Sequence, residues 1–240
     1  MIRMALITGG TGHIGKELVR ALGADGYNVA FTYKSRGDDA VALEHELEKK
    51  GRRAHAMELD MAKDVDFEDF IYTVERRLGK VSLLVLSASR FEEYSGEGEH
   101  PGNVREQFRA NVEGQFLLVQ AAAKRMKAHG RGRIIFLLDT AGERIFPRYL
   151  PYSISKAANY AMVKGFAKMC APYVVVNGVS PGIVREPDHL SEVEKEALIR
   201  KVPAGVFGKT DDVVRTVLFL ADAPSYITGE VIGVDGGYGL

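Results

Sequence analysis

Tyr152, Lys156 and Asp139 carry side chains that can hold and move a proton. Tyr152 and Lys156 are four positions apart in a segment of helical character, so both side chains project from one helical face. A phenol titrates near roughly 10, and a neighbouring ammonium favours the phenolate, which predicts a Tyr152 pKa closer to neutral. Such a phenol can act as a general acid. Because Tyr-x-x-x-Lys also arises by chance in helices, the surrounding sequence decides whether the pair is catalytic.

The pair is embedded in a chain that alternates strand-like and helix-like segments. Strands are predicted at 4–8, 28–33, 54–59, 82–86, 134–138, 174–179 and 230–234. Helices are predicted at 11–22, 64–78, 103–127, 191–201 and 211–220. A further helix carries Tyr152, and another ends at Lys50 and is predicted to be capped by Asp38 and Asp39. This alternation predicts an α/β fold: a single doubly wound domain over residues 1–240, with a parallel sheet and helices on both faces.

The composition excludes several kinds of partner. Lys and Arg together number 32, as do Asp and Glu, so no net charge directs the chain to nucleic acid or to an anionic membrane. The single cysteine, Cys170, excludes an internal disulfide framework, and no metal site is predicted. No apolar run reaches membrane-spanning length, and the first strand begins too early to leave room for a signal peptide. We therefore expect a cytoplasmic protein that acts on a small molecule.

A glycine-rich turn follows the first predicted strand, at the edge of the sheet where α/β proteins bind ligands. Glycines allow a tight turn and a close approach of the backbone to a pyrophosphate, whose charge the N-terminus of the following helix favours. The predicted dinucleotide contacts in this turn are Gly9, Thr11, Gly12, His13, Ile14 and Gly15.

The end of the second predicted strand distinguishes NAD from NADP. An acid at this position binds the ribose hydroxyls, whereas basic groups accept the 2′-phosphate. The residues here are Tyr33, Lys34, Ser35 and Arg36, and no acid precedes Asp38. This sequence favours NADP(H). Asp60, after the third strand, is placed either to meet the adenine edge of the cofactor or to cap the next helix.

Several motifs occur together and in order: the glycine turn, Asn111 in a long helix, Tyr152 with Lys156, and the turn at 180–182. Together they resemble the short-chain dehydrogenase/reductase family over essentially the whole chain. The resemblance implies a Rossmann-like, seven-stranded sheet, a nicotinamide cofactor and a homotetramer. It also implies that Tyr152 is the proton donor, that Lys156 holds the nicotinamide ribose and lowers the tyrosine pKa, and that Asn111 supports a proton-relay water. The remaining cofactor contacts that it implies are Met61, Ser87, Ala88, Ser89, Pro181, Gly182 and Ile183.

The chain departs from the commonest pattern of that family at three places. Asp139 stands where many members have a serine that hydrogen-bonds the reacting carbonyl, and residues 86–89 replace the usual Asn-Asn-Ala-Gly. His13 stands where glycine is more common. The aspartate, together with the Ala-Ser-x-Phe that ends at Phe91, is similar to the pteridine reductase subgroup, which implies that Phe91 stacks on a pterin. Phe91 can also simply pack against the Glu-rich loop at 92–101.

Chemistry favours the same comparison. A pterin offers N–H donors and reducible C=N bonds, for which a carboxylate and an aromatic surface are suited, whereas a ketone needs a donor such as serine. Three hypotheses stay open: an NADPH-dependent pteridine reductase, a 3-oxoacyl or general carbonyl reductase, and an NADP(H)-binding module with little catalysis. The segment 184–203 is expected to form the substrate loop, with Asp188 and His189 as cap and surface residues.

Overall fold

The computed structural model describes residues 3–94, 96, 101–184 and 191–240. The strands are β1 (Met4–Thr8), β2 (Asn28–Tyr33), β3 (Ala54–Glu58), β4 (Leu83–Leu86), β5 (Gly132–Leu137), β6 (Val174–Pro181) and β7 (Val231–Val234). They form one sheet in the order β3-β2-β1-β4-β5-β6-β7, and every pairing in it is parallel. The predicted seven-stranded parallel sheet is confirmed.

Helices cover both faces of this sheet. They are α1 (His13–Ala24), α2 (Gly37–Lys49), α3 (Phe67–Leu78), α4 (Pro101–Phe108), α5 (Gly114–Ala128), α6 (Leu150–Cys170), α7 (Glu192–Ile199) and α8 (Thr210–Asp222). Ala5 and Ile7 of β1 pack in one core with α1, α2 and α8. Met4 and Leu6 face the opposite core with α3, α5 and α6. β1, β4 and β6 are buried along their whole length, as expected where helices cover both faces of a sheet, and the doubly wound arrangement is confirmed.

The starts of α2 and α3 differ from those predicted. α2 begins at Gly37 with Arg36 as its N-cap, so the prediction that Asp38 and Asp39 cap it is wrong. Both acids lie in the first turn instead, where the positive end of the helix dipole favours them equally well. α3 begins after Asp66, whose carboxylate accepts the backbone N–H groups of Glu68 and Asp69 at 3.0 Å each.

The helix predicted at 103–127 is a longer helical run with an interruption. α4 and α5 are joined by a π-helical turn at Arg109–Glu113, which contains the buried Asn111. Such turns are uncommon and recur at functional sites. Among the residues that the structure describes, no helix combines the length and apolar character needed to cross a bilayer.

Gly114, the first residue of α5, lets this helix pack directly on the segment after β3. A Cβ at this position would lie 2.3 Å from the backbone oxygen of Met61. Gly165 in α6 is the matched contrast, because a Cβ there would meet nothing within 4 Å.

We expect Gly114→Ala to destabilise the protein by about 2 kcal/mol, because the new methyl group forces the helix away from Met61. Gly165→Ala should instead stabilise it by about 0.5–1 kcal/mol, because alanine has less backbone entropy to lose. Urea unfolding of both variants measures the two effects. Equal effects of the two substitutions would contradict the close packing at Gly114.

Candidate active site

The candidate site lies at the carboxyl edge of the sheet, where parallel strands deliver their following loops to one side. β5 leads directly to Asp139, and its neighbour β6 ends at Pro181. α6 returns along this edge and carries Tyr152 and Lys156.

The phenol of Tyr152 and the carboxylate of Asp139 are in direct contact. The Tyr152 hydroxyl donates to Oδ2 of Asp139 at 2.7 Å, and Tyr152 is 5% exposed. Oδ1 of Asp139 accepts the backbone N–H of Ala141 at 2.8 Å, within the 3-10 turn Thr140–Gly142. Asp139 therefore orients both its own turn and the phenol.

Lys156 is buried on the same face of α6. Its Nζ donates to the backbone oxygen of Leu137 at 2.9 Å and lies 5.6 Å from the centroid of the Tyr152 ring. Burial lowers the pKa of Lys156 to about 8, although the charge of Asp139 acts in the opposite direction. The Lys156 ammonium is therefore buried between the end of β5 and the phenol of Tyr152.

The pKa of Tyr152 is raised well above its ordinary value. Burial is the main cause, followed by the charge of Asp139 and its hydrogen bond, while a hydrogen bond with Ser89 opposes them. This net shift is opposite to the predicted fall toward neutral, because the phenol is buried and is bonded to the carboxylate, not to the ammonium of Lys156. Tyr152 is therefore a neutral hydroxyl that can donate a proton.

Asn111 connects the segment after β4 to α6. Its Oδ1 accepts the backbone N–H of Arg90 at 2.7 Å, and its Nδ2 donates to the backbone oxygen of Arg90 at 2.8 Å and to Oγ of Ser155 at 3.1 Å. Ser155 donates in turn to the backbone oxygen of Tyr152 at 2.7 Å. Asn111 thus supports the helical turn that carries the phenol, and its support of a relay water stays a prediction.

Phe91 belongs to an aromatic cluster beside the phenol. Its ring stacks on Tyr149 with centroids 4.4 Å apart and meets the Tyr152 ring edge-on at 4.7 Å. Phe91 remains 57% exposed. The hydroxyl of Tyr149 donates to Glu93 at 3.1 Å, which fixes this ring over the loop. The cluster therefore presents an aromatic surface next to the proton donor.

The glycine turn is packed tightly on the segment after β4. Gly9 has a φ of +67°, and a Cβ on it would lie 2.8 Å from Cα of Ala88. A Cβ on Gly15 would lie 2.1 Å from the backbone oxygen of Gly9. Oγ1 of Thr8 accepts the backbone N–H groups of Ser87 and Ala88, at 3.1 and 3.0 Å. The turn predicted to bind the cofactor and the segment after β4 are therefore adjacent.

The start of α1 fits a pyrophosphate. Its N-cap is Gly12, which has no side chain to accept the first N–H groups of the helix, and these donors suit a phosphate. Thr11 is buried and Ile14 is half-buried. His13 is exposed, and its Nε2 lies 2.8 Å from Oγ1 of Thr210, the first residue of α8.

Charged residues that follow β2 and β3 are paired with each other. Nζ of Lys34 lies 2.9 Å from Oδ2 of Asp60, whose Oδ1 accepts the backbone N–H of Ala62 at 3.0 Å. Burial acts to raise the pKa of Asp60, but the bonds from Ala62 and Lys34 outweigh it and hold this pKa below its usual range. Asp60 is not the cap of α3, since Asp66 has that position. Arg36 is exposed and lies 3.9 Å from Asp39.

The segment after β6 is fixed by neighbouring backbone. The N–H of Gly182 donates to the oxygen of Val234 at 3.0 Å, and the oxygen of Ile183 accepts the N–H of Gly208 at 2.9 Å. A Cβ on Gly182 would lie 2.7 Å from Cβ of Asp235. Asp188, His189 and the rest of 185–190 lie outside the described residues.

Two buried amides and one tyrosine were missed by the sequence analysis. Gln115 donates to the backbone oxygen of Ala88 at 3.0 Å and accepts from Asn159 at 3.1 Å, which ties α5 and α6 to the end of β4. Tyr160 stands four residues after Lys156, a spacing that could have revealed it. In the part of the chain that the structure describes, no three His, Cys, Asp or Glu side chains are grouped to hold a metal ion.

Lys156→Met should stabilise the protein by about 2–4 kcal/mol at neutral pH, because it removes a buried ammonium. The folded-state pKa of about 8 is below the ordinary value of 10.5, so between these values the unfolded chain binds more protons. The wild type should therefore become more stable relative to the variant as the pH rises through this window. Urea unfolding at a series of pH values measures the difference.

The control for this experiment is Lys168→Met, on the same helix but exposed. It should change stability little over the whole pH range. A difference between wild type and Lys156→Met that is independent of pH would contradict the buried charge.

Known proteins are similar to this chain over nearly its whole length. The family model described as enoyl-(acyl carrier protein) reductase matches residues 10–239. The 3-oxoacyl-(acyl-carrier-protein) reductase FabG of Staphylococcus epidermidis is 30% identical over 241 residues, which cover 99% of this chain and 99% of that protein.

Solved structures match over the whole chain as well. FolM alternative dihydrofolate reductase 1 from Brucella canis, complexed with NADP, has a TM-score of 0.88 and 25% identity, covering 99% of this chain and 94% of its own. A short-chain dehydrogenase/reductase from Serratia marcescens has a TM-score of 0.91 and 29% identity, covering 99% and 98%. With its parallel sheet, its glycine turn and its Tyr152–Lys156 pair, the chain belongs to the short-chain dehydrogenase/reductase family of oxidoreductases.

Proposed function

We propose that this protein is an NADPH-dependent reductase that adds hydride to a C=N bond of a pteridine-like heterocycle, with Tyr152 as the proton donor. The observation that carries the proposal is the 2.7 Å hydrogen bond between Tyr152 and Asp139. It places an acceptor-only group beside the proton donor, where a carbonyl reductase of this family has a serine.

The carboxylate of Asp139 suits a substrate rich in N–H groups. From the part of the chain that the structure describes, Oδ2 accepts one hydrogen bond, from Tyr152, and Oδ1 accepts one, from Ala141. Each of these oxygens has a further lone-pair site. Ring N–H groups can be accepted there. A ketone would develop negative charge on its oxygen during reduction, which an anion repels and a serine hydroxyl would stabilise.

The aromatic cluster supports a flat substrate. Phe91 stacks on Tyr149 and leaves more than half of its surface exposed. A planar heterocycle can stack on this ring within reach of the Tyr152 hydroxyl, because Phe91 meets the Tyr152 ring edge-on.

NADP(H) is the cofactor that the residues fit. The N-terminus of α1 and the glycine turn would hold the pyrophosphate, Lys34 and Arg36 the 2′-phosphate, and Asp60 the adenine edge. Lys156 would hold the nicotinamide ribose, and Pro181–Ile183 would lie against the nicotinamide. When bound in its reduced form, the cofactor supplies the hydride. The Brucella canis relative, which was crystallised with NADP, supports this choice.

The proton would come from Tyr152. Its raised pKa keeps the hydroxyl protonated until a substrate nitrogen gains electron density and becomes a stronger acceptor. Lys156, 5.6 Å from the centroid of the ring, would then favour the negative charge left on the phenol. Asp139 would hold the substrate by its N–H groups during this transfer.

A 3-oxoacyl thioester reductase is the second candidate. The 30% identity to the Staphylococcus epidermidis FabG over 99% of both chains favours it. A binding module with little catalysis is the least supported hypothesis, because Tyr152, Lys156 and Asn111 are all present and buried together.

We also propose that the protein is a cytoplasmic homo-oligomer, a tetramer as the family resemblance implies. Phe116 and Leu117 of α5 and Ile154 of α6 are 42%, 41% and 45% exposed. Apolar side chains on neighbouring helices are suited to burial against a second copy of the chain.

Replacing both Lys34 and Arg36 with Ala should weaken NADPH binding strongly, because each cation contributes about 1–3 kcal/mol to binding of the 2′-phosphate. NADH binding should be nearly unchanged. Calorimetric titration with both cofactors measures the effect, and Lys168→Ala, which removes an exposed charge elsewhere, is the control. Equal losses for the two cofactors would place the phosphate pocket elsewhere.

Asp139→Ser should lose dihydropterin reduction and retain or gain activity on a 3-oxoacyl thioester, because the serine hydroxyl can stabilise an alkoxide. Steady-state kinetics of wild type and variant on both substrates provide the test. Tyr152→Phe, which removes the proton donor, should lower turnover roughly 10²–10⁴-fold on whichever substrate the wild type reduces. A wild type that reduces the thioester efficiently and ignores dihydropterins would refute the pteridine assignment.

A further inference from the structure

Tyr160 extends the active face of α6. It lies four residues beyond Lys156, so Tyr152, Lys156 and Tyr160 occupy successive turns of one helical face. Its ring lies against the turn that follows Asp139, since a Cβ on Gly142 would be 2.8 Å from Cε2 of Tyr160. The turn that carries Asp139 therefore rests on this ring.

Among the described residues, the hydroxyl of Tyr160 has three oxygen neighbours, two from the turn after β5 and one from the end of β6. It lies 2.7 Å from Oγ of Ser180, 2.8 Å from Oε2 of Glu143 and 3.4 Å from the backbone oxygen of Asp139. Burial is the main cause of a raised Tyr160 pKa, so the hydroxyl keeps its proton. A carboxylate accepts only, so the one proton of Tyr160 goes to Glu143, and Ser180 must donate to Tyr160.

These two hydrogen bonds, from Ser180 to Tyr160 and from Tyr160 to Glu143, join two parts of the proposed site. Glu143 directly follows the 3-10 turn that begins after Asp139. Ser180 directly precedes Pro181 and Gly182, at the end of β6. The phenolic oxygen of Tyr160 therefore fixes the turn that carries Asp139 relative to the segment after β6, which would lie against the nicotinamide.

We propose that Tyr160 is a positioning residue, which acts through Asp139 and the end of β6 to set the separation between the substrate and the hydride donor. This inference rests on the proposed reductase function but not on the identity of the substrate. Tyr160 itself need not touch either reactant. A small change in that separation is costly to hydride transfer and has little effect on binding at the distant phosphates.

The test uses Tyr160→Phe, which keeps the ring and removes only the hydroxyl. Turnover on the substrate that the wild type reduces, dihydropterin or 3-oxoacyl thioester, should fall roughly tenfold. The kinetic isotope effect with deuterated NADPH should increase, while the NADPH dissociation constant from calorimetry stays within about twofold. Ser180→Ala should reproduce these changes, and the double variant should be no worse than either single one. Tyr226→Phe, at a 99% exposed tyrosine, is the control and should change nothing.

A second readout does not depend on turnover. The fluorescence anisotropy of bound NADPH should fall in Tyr160→Phe, because the segment after Ser180 is held less firmly. Wild-type anisotropy together with an unchanged isotope effect would overturn the proposal, as would additive losses from Tyr160→Phe and Ser180→Ala. If the wild type reduces only the thioester, the pteridine assignment fails while the role of Tyr160 is still decided. If it reduces neither substrate, the anisotropy decides it alone.

Discussion

The carboxylate of Asp139 is the group on which the arrangement of the candidate site depends. It accepts from the Tyr152 phenol and from the backbone of its own turn, so it links the end of β5 to α6. It also raises the pKa of Tyr152, after the larger contribution of burial. A serine in this position would leave the phenol without an anionic acceptor. Asp139 therefore determines that the Tyr152 hydroxyl is hydrogen-bonded to an anion.

The buried ammonium of Lys156 lowers the stability of the folded protein. The ammonium is buried, and its pKa is lowered to about 8 by the loss of hydration. Among the described residues, the oxygen of Leu137, the ring of Tyr152 and the more distant charge of Asp139 partly compensate this loss. A side chain held at such a cost is typical of a residue kept for chemistry, not for folding.

The sequence predicted the fold well, because continuous apolar strands and glycines at a strand end are local signals with one structural meaning. The meeting of Asp139 and Tyr152 was also foreseeable, since one follows a buried strand and the other begins the next helix. The direction of the Tyr152 pKa shift was not, because it depends first on how deeply the fold buries the phenol and then on which charged neighbour is bonded to it. Asp38 and Asp39 were misassigned since acids suit a cap and a first turn alike. Tyr160 was missed because Ser180 and Glu143 reach it only through the fold.

The π-helical turn at Arg109–Glu113 has a consequence for helical phase. Gln107, Asn111 and Gln115 are buried at intervals of four residues, whereas a regular helix repeats about every 3.6. Over two intervals a regular helix would rotate the third side chain by roughly 80° away from the first. The wider turn absorbs this excess, so that Asn111 can support Arg90 and Ser155 while Gln115 still reaches Ala88. If one residue were removed here, Gln107 and Gln115 would lie seven positions apart, which is only roughly 20° short of two full turns of a regular helix. The π-helical turn therefore accommodates one additional residue while both amides stay on the buried face.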